Sequence, residues 1–420
     1  MWQGSPRKGG YDPAVLLGHR LRRHPEGRPG TAGAAVSFCA AAVVLAGCGG
    51  SPAGGQPGSG VWRTVDSGTQ QRLYDVACLS ALRCEAVGEA GTLLATADGG
   101  STWRAQANPL QGSSDALYAI ACVAPSTCYV IARPDTILVT HDGGASWSSD
   151  VLPVGVSGSD LTDEACLPNY TPISGRSALC RLGLLDIDCV SASLCYAVAT
   201  APPAYDDTPL PATPEASASS IWMTSDGGAS WTPESLPPGV ACDGDCDVGR
   251  YGYPLVWVSC LSGGLCRSGG GHVLGCGHCG FAYAVLATHG PGRPWACAEA
   301  AATCTTLSPD AGDCPTSTVC YGLQSTNPFG PENSVVRSTD GGADWVLLGN
   351  WAVSVLNDIA CPAALTCYMA GTGGAIAEIT SGTTVTAQRT LTTSDLYGIA
   401  CAGPSTCCAV GDNGTILALR

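Results

Sequence analysis

The chain is poor in charge and nearly devoid of lysine. Charged residues make up 13% of its 420 residues, and Lys8 is the single lysine. After residue 47 there are 13 arginines and no lysine against 32 acidic residues, a formal net charge of −19. Such an excess of negative charge repels phosphate backbones. The composition therefore argues against nucleic acid as a partner.

The N-terminal region lacks an apolar run long enough for a membrane span. Its apolar stretch, Ala34 to Ala46, is 13 residues long, whereas a transmembrane helix needs about 20 residues. Basic residues precede the stretch and small residues follow it, as in secretory signals. The ending Leu45-Ala46-Gly47-Cys48 resembles the bacterial lipoprotein lipobox, in which Cys48 is acylated and becomes the new N-terminus. An ordinary cleaved signal with an incidental cysteine is the alternative.

These features divide the chain into three parts. We expect a lipoprotein signal peptide at residues 1–47, a lipid-anchored flexible linker at 48–60 and one folded domain at 61–420. The linker sequence GGSPAGGQPGSG has no capacity to form a core. The predicted location is therefore the cell membrane, on its extracytoplasmic face.

The cysteine content agrees with export. The chain has 25 cysteines, and an oxidising compartment allows them to pair. Removal of Cys39 with the signal and of Cys48 to lipid leaves an odd number. One thiol is then unpaired within the chain, and the adjacent Cys407 and Cys408 are the place where we expect it.

Seven copies of a cysteine motif run through the folded region. Each is an apolar run, a cysteine, five residues and a second cysteine, as in LYDVACLSALRC, which ends at Cys84. Cysteines flanking so tight a loop face each other across two antiparallel strands at a distance that a disulfide spans. The motif predicts seven disulfides: Cys78–Cys84, Cys122–Cys128, Cys189–Cys195, Cys260–Cys266, Cys314–Cys320, Cys361–Cys367 and Cys401–Cys407.

A second repeat is the octet S/T-x-D-G-G-x-x-W. Its aspartate accepts N–H groups of a chain reversal, its glycines allow conformations barred to other residues, and its tryptophan buries a large ring. THGPGRPW, beginning at Thr288, is a copy without the aspartate. The four full copies contain Asp98 and Trp103, Asp142 and Trp147, Asp226 and Trp231, and Asp340 and Trp345.

Together the repeats predict an all-β fold of seven four-stranded antiparallel blades. The last repeat ends at Arg420 after its third strand, and Trp62 to Val65 align with the fourth strand of the other units. We therefore expect the N-terminal strand to complete the last blade and close a seven-bladed β-propeller. Cysteine loops and octets would share one face, and the long insertions would lie on the other.

The octets resemble the Asp-box, or bacterial neuraminidase repeat. With YAVAT and AVGDNGTI, they make the chain similar to Asp-box propellers of the photosystem II stability/assembly factor-like group. The resemblance implies a non-catalytic scaffold that assembles or binds other envelope components. Separately, we expect no cofactor and no bound metal, a protein or glycan of the cell envelope as partner, and a monomeric chain.

An exo-glycosidase of the sialidase type is the alternative function, because Asp-boxes also occur in sialidases. The Arg-Ile-Pro motif that precedes the first box in those enzymes is absent, and seven repeats exceed their six blades. No residue is therefore assigned a catalytic role.

The insertions carry the remaining candidate sites. Long cysteine-containing loops over blades three to five form either a rigid recognition surface or tolerated loop growth. Within them, Cys242, Cys246, Cys276 and Cys279, with His278, are either disulfides or a zinc site. The acidic stretch Asp243 to Asp247 is either a solvated loop or a calcium loop.

Overall fold

The protein forms seven antiparallel sheets of four strands each, which confirms the predicted seven-bladed propeller. The computed structural model describes residues 61–132, 134–154, 183–200, 219–236, 255–273, 281–288, 290–298, 309–325, 333–351 and 354–420. Within these ranges no helix is long and apolar enough to cross a membrane.

Within the described residues, thirteen strands form the first half of the propeller. They are β1 (Trp62–Val65), β2 (Leu73–Cys78), β3 (Cys84–Gly88), β4 (Thr92–Thr96), β5 (Arg104–Ala105), β6 (Leu117–Ala124), β7 (Thr127–Ala132), β8 (Thr136–Thr140), β9 (Ser148–Val151), β10 (Gly183–Cys189), β11 (Cys195–Thr200), β12 (Ser219–Thr224) and β13 (Thr232–Pro233). Strands β2–β5, β6–β9 and β10–β13 form blades 1, 2 and 3.

The second half repeats the arrangement. Its strands are β14 (Trp257–Cys260), β15 (Cys266–Val273), β16 (Phe281–Thr288), β17 (Ala296–Cys297), β18 (Ala311–Asp313), β19 (Cys320–Ser325), β20 (Asn333–Ser338), β21 (Val346–Trp351), β22 (Leu356–Ala363), β23 (Thr366–Gly371), β24 (Ile376–Thr380), β25 (Thr384–Gln388), β26 (Leu396–Gly403), β27 (Thr406–Gly411) and β28 (Ile416–Leu419). Strands β14–β17, β18–β21 and β22–β25 form blades 4, 5 and 6.

Blade 7 is assembled from the first strand of the propeller domain and its last three strands. Its strand order is β1-β28-β27-β26, and the antiparallel register pairs Trp62 with Leu419 and Val65 with Ile416. Trp62 is 2% exposed, and its ring lies edge-on to Tyr368 of blade 6, with the ring centroids 6.0 Å apart. The predicted closure by the N-terminal strand is therefore confirmed.

The hydrophobic core lies between blades. One cluster joins Leu94 and Trp103 of blade 1 to Val410 and Ile416 of blade 7, and comparable clusters join the other neighbours. Each sheet is thus buried on both of its faces by adjacent sheets, which explains why its middle strands are apolar at nearly every position.

The two faces of the propeller differ in the loops that they carry. The backbone N–H of Gly99 in the first octet donates to Leu82 O in the cysteine loop of the same blade at 2.8 Å, and Gly143 makes the equivalent bond to Ser126 O at 2.9 Å. Octets and cysteine loops therefore share one face, the octet face. The turns between second and third strands, such as Glu89–Gly91, lie at the opposite face, the turn face.

Aspartates join the innermost strands of neighbouring blades. Asp75 in β2 accepts the backbone N–H of Ile120 in β6 at 2.9 Å, and Asp358 in β22 accepts that of Ile399 in β26, also at 2.9 Å. The other oxygen of each carboxylate accepts the N–H of the residue that follows the aspartate. Because each carboxylate accepts backbone N–H groups from two neighbouring blades, one side chain fixes how those blades meet.

Blades 3 to 6 are connected by a continuous series of such contacts. Asp188 accepts the N–H of Cys260 at 2.7 Å, Ser259 Oγ donates to Asp313 at 3.2 Å, and Asp313 accepts the N–H of Cys361 at 2.7 Å. Burial raises the pKa of Asp188 to about 7 and that of Asp313 to about 6, and neighbouring carboxylates act in the same direction against the backbone N–H groups.

Blade 4 uses an aromatic side chain at the position that Asp75 occupies in blade 1. The Trp257 indole N–H donates to Pro309 O at 2.9 Å, and a Cβ added to Gly312 of blade 5 would lie 3.0 Å from the indole ring. A glycine is therefore required in blade 5 because the preceding blade carries a tryptophan. Trp257 and Gly312 are thus complementary in size across this interface.

Replacement of Trp62 tests the importance of ring closure. We expect Trp62→Ala to lower the free energy of unfolding by about 3–5 kcal/mol, because it removes a buried aromatic ring and leaves a cavity. Urea unfolding followed by tryptophan fluorescence measures the change. The control is Val61→Ala, whose side chain is 58% exposed and whose loss should change stability by no more than about 0.5 kcal/mol. Equal stabilities of the two variants would contradict the expectation.

The raised pKa of Asp188 predicts a pH dependence of stability. Its folded pKa of about 7 exceeds the value of about 3.9 for an unfolded aspartate, so the folded state holds the proton more tightly. The contribution of this group to stability is present below about pH 4 and is lost as the pH rises towards about 7. Asp188→Asn should remove this slope, which corresponds to at most about one proton per molecule.

Urea unfolding at several pH values between about 4 and about 7 measures that slope. Subtraction of the variant from the wild type cancels the other titrating groups, which the two proteins share. Asp115→Asn is the control, because Asp115 is exposed, and its slope should equal that of the wild type. A slope for Asp188→Asn that matches the wild type would refute the assignment.

Candidate functional site

The four octets share one hydrogen-bonded turn. In the first, Thr96 Oγ1 donates to Asp98 Oδ1 at 2.8 Å and accepts the N–H of Gly100 at 2.8 Å, while Asp98 Oδ1 accepts the N–H of Thr102 at 2.9 Å. The first residue and the aspartate therefore act together. Equivalent bonds occur in the octets of Asp142, Asp226 and Asp340.

These bonds keep the octet aspartates ionised. The side-chain hydroxyl and backbone N–H of Thr102 hold the pKa of Asp98 well below its usual range. Similar bonds from Ser146 and Ser230 lower the pKa of Asp142 and of Asp226 to about 2. Carboxylates that stay ionised and have their oxygens occupied by turn groups are unsuited to proton transfer. The octets therefore have the geometry of turns, not of a catalytic acid.

The octet tryptophans differ in burial. Trp103 and Trp231 are buried, whereas Trp147 and Trp345 are half-buried. Trp231 of blade 3 lies edge-on to Tyr129 of blade 2, with ring centroids 6.3 Å apart. Edge-on contact of this kind is a preferred aromatic geometry. The octet tryptophans thus contribute to the interface with the preceding blade.

The residue after the second cysteine of each repeat contacts the next blade. Tyr129 OH donates to Ala192 O at 2.7 Å, and Tyr321 OH donates to Ala364 O at 2.8 Å. Each acceptor lies in the cysteine loop of the following blade. Tyr368 and Arg267 make the corresponding bonds to Pro404 O and Ser317 O. We did not predict this role, although the recurring Cys-Tyr pair was visible in the sequence.

Blades 1 and 7 carry neither a tyrosine nor an arginine at this position. Blade 1 has Glu85, which is 1% exposed, has Arg83 3.8 Å away and has its pKa raised by burial. Blade 7 has Cys408, the free cysteine among the described residues. Burial raises the pKa of its thiol to about 11, against a smaller opposite effect of Arg420. The interfaces of blade 7 with blade 1 and of blade 1 with blade 2 are therefore chemically distinct from the others.

The structure contains a disulfide at each of the seven cysteine motifs. Each bond joins the two cysteines of one motif, six residues apart, and five of the pairs lie directly opposite each other in the strand register. Cys407 pairs with Cys401, so the unpaired thiol that we expected at Cys407 or Cys408 is Cys408.

A cluster of charged and aromatic side chains lies on the turn face, where blade 7 meets blade 1. We call Arg72, Tyr74, Glu89, Tyr397 and Asp412 the mouth cluster. Arg72 Nε donates to Asp412 Oδ1 at 2.6 Å, and Arg72 Nη1 lies 3.7 Å from Glu89 Oε1. Tyr74 OH donates to Glu89 at 3.2 Å, and Tyr397 OH donates to Asp412 at 3.1 Å.

The mouth cluster joins blade 7 to blade 1. The guanidinium carbon of Arg72 lies 5.5 Å from the centroid of the Tyr397 ring, a cation–π distance. Burial acts to lower the pKa of Arg72, but the bond to Asp412 and the other neighbours raise it overall. Burial, followed by the charge of Glu89, raises the pKa of Tyr74 to about 12. The cluster thus presents one positive and two negative groups above buried aromatic rings.

Three groups of predicted sites lie outside the described residues. They are the leader and lipidation site Cys48, the acidic stretch Asp243 to Asp247, and the set Cys242, Cys246, Cys276, Cys279 and His278. Much of the predicted recognition loops over blades three to five lies there too. In the described part of the chain, two groups of sulfur and carboxylate atoms lie close enough together to share a metal. Each group includes both sulfurs of a disulfide. Disulfide sulfurs are not thiolate ligands, so the geometry provides no metal site there.

Comparison of sequences connects the N-terminal blades to one family. The profile of the family described as photosynthesis system II assembly factor YCF48 matches residues 56–162, which include β1 and blades 1 and 2. No curated protein matches the chain significantly. The match to this family thus covers about a quarter of the sequence.

Comparison of structures extends over the whole propeller. YCF48 bound to D1 peptide has a TM-score of 0.53 and 16% identity, over 85% of this chain and 94% of that chain. YCF48 from Cyanidioschyzon merolae has the same score and identity, over 86% and 98%. The GH74 xyloglucanase from Xanthomonas campestris also scores 0.53, with 12% identity over 85% of this chain and 53% of the enzyme. At these identities the likeness establishes the propeller fold, which binding proteins and a hydrolase share.

Proposed function

We propose that the protein is a non-catalytic, protein-binding scaffold held at the outer face of the cytoplasmic membrane by lipid on Cys48. The observation that carries the proposal is the double likeness to YCF48, in sequence over residues 56–162 and in fold over 85% of the chain. One of those YCF48 structures is bound to a peptide. The partner that we propose here is accordingly a protein segment.

The turn face is the proposed binding surface. It carries the mouth cluster, where charged groups with 25–40% exposed side chains lie over buried tyrosine rings. Partly exposed charges above aromatic groups can bind peptide polar groups and side chains without large rearrangement. The octet face, in contrast, uses its carboxylates in its own turns. The two faces therefore differ in the groups that they offer to a partner.

The lipid anchor can be tested with two cysteine variants. We expect the wild type to partition into the detergent phase of Triton X-114 and Cys48→Ser to remain in the aqueous phase, because acyl chains supply the membrane affinity. Cys39→Ser is the matched control, since Cys39 would be removed with the leader. Detergent partitioning of Cys48→Ser equal to that of the wild type would rule out anchoring through this residue.

The binding face can be tested by photo-crosslinking in cells with the full-length protein. A p-benzoylphenylalanine in place of the exposed Gln71, beside the mouth cluster, should crosslink to an envelope protein in a defined band. The same group in place of Leu82, which is 61% exposed in a cysteine loop of the octet face, should give no such band. Equal crosslinking from both positions, or from neither, would contradict a binding site on the turn face.

An activity assay separates the scaffold from the glycosidase alternative. We expect the full-length protein to leave a fluorogenic sialoside uncleaved at the rate of the buffer control. Turnover that disappears on Arg72→Ala would overturn the scaffold proposal, because it would make this arginine a substrate ligand.

A further inference from the structure

Cys408 lies at the interface where blade 7 meets blade 1. Its side chain is 2% exposed, and its sulfur lies within 4.8 Å of both sulfurs of the Cys78–Cys84 disulfide in blade 1. In blades 2, 5 and 6 the equivalent position is a tyrosine that donates to the next cysteine loop. A thiol here faces the neighbouring disulfide instead.

The surroundings hold the three sulfurs together. Cys408 and Cys84 belong to one buried cluster with Trp103, Val410 and other apolar side chains. A Cβ added to Gly100 would lie 3.4 Å from Cys408 Sγ and 3.6 Å from Arg420 Nη2. Arg420 also donates to Ser101 Oγ at 2.7 Å, which ties it to the octet of blade 1. The thiol is therefore held in a packed site with a cation beside it.

We propose that Cys408 exchanges with the Cys78–Cys84 disulfide to give a second covalent form of the propeller. The Cys408 thiolate attacks Cys84 Sγ, a Cys84–Cys408 bond forms and the Cys78–Cys84 bond breaks. Cys78 leaves as a thiolate and takes up the proton that Cys408 released. The number of thiols and disulfides stays the same, so the step needs neither an oxidant nor a reductant.

The direction of attack follows from exposure. Cys78 is partly exposed, whereas Cys84 is buried. A leaving thiolate is stabilised by water, so release of Cys78 is favoured over release of Cys84. Exchange thus moves a reactive thiol from the buried interface to a partly exposed position on the octet face.

The second form closes the ring covalently. In the first form the ends of the propeller are held by the backbone pairing of β1 with β28 and by side-chain contacts. In the second form a disulfide links β27 of the C-terminal segment directly to β3 of blade 1. A covalent link between distant positions reduces the conformational entropy of the unfolded chain and so opposes opening of the ring.

The thiol controls the rate of exchange. Only the thiolate attacks, and burial raises the pKa of Cys408 to about 11, with Arg420 as the charged group that opposes this shift. At pH values below about 11, the rate should therefore rise about tenfold for each unit by which the pH is increased. Around neutral pH the first form persists, and alkaline conditions allow the two forms to equilibrate.

The direct test maps disulfides in the full-length wild type. The protein is incubated at about pH 9 without oxidant and quenched with acid, and free thiols are then alkylated under denaturing conditions. Peptide mass spectrometry should find Cys84 linked to Cys408 and alkylated Cys78 in a growing fraction. In Cys408→Ser, Cys78 and Cys84 should remain linked to each other. A wild type in which only the Cys78–Cys84 link persists would overturn the proposal.

A second test depends on geometry and not on the position of the equilibrium. Cys78→Ser leaves Cys84 and Cys408 as neighbouring thiols, and oxidised glutathione should join them in a disulfide. The matched control is Cys122→Ser, which frees Cys128 in blade 2, where Glu85 occupies the position of Cys408. There Cys128 and Cys408 should not form a disulfide with each other.

The two variants together make the outcome decisive. Each loses one hairpin disulfide, so any loss of folding should affect both, and far-UV circular dichroism reports it. A Cys84–Cys408 disulfide in Cys78→Ser, without a Cys128–Cys408 disulfide in Cys122→Ser, supports the proposal. Failure of Cys78→Ser to form the link while folded would refute it. If both variants unfold, the mapping of the wild type decides.

Discussion

The pairing of β1 with β28 is the interaction on which the rest of the structure depends. Four backbone register pairs turn a linear series of seven repeats into a ring, and the buried Trp62 packs this strand against blade 6. Without closure, blade 7 would lack its outer strand and the core between blades 6 and 7 would be open to water. Closure also gives the ring its two faces, the octet face and the turn face.

The interfaces between blades share an architecture but differ in chemistry. Asp75 and Asp358 join inner strands with carboxylates, whereas Trp257 does so with an indole that needs a glycine opposite it. Farther out, tyrosines donate to the next cysteine loop in several blades, and Cys408 takes that position in blade 7. Because each interface is fitted to its own neighbours, the order of the blades is specified and not only their number.

The two faces of the ring differ in how their polar groups are used. The octet face uses its hydrogen-bonding groups internally, with Asp98 and its counterparts ionised within turns. The turn face keeps charged groups partly exposed, as in the mouth cluster. A rigid ring that varies at one face is suited to holding a partner segment, and the comparisons with YCF48 agree with such a use.

The sequence by itself determined the number of blades, the seven disulfides, the turn at each octet and the strand that closes the ring. These features depend on local spacing and on residues with strong conformational preferences, so they repeat visibly along the chain. Only the tertiary structure decided which side chains meet across blades: Asp188 with Cys260, Arg72 with Asp412, and Cys408 with the Cys78–Cys84 disulfide. Such contacts join residues far apart in sequence, and their geometry follows from the packing of whole sheets, which no local pattern specifies.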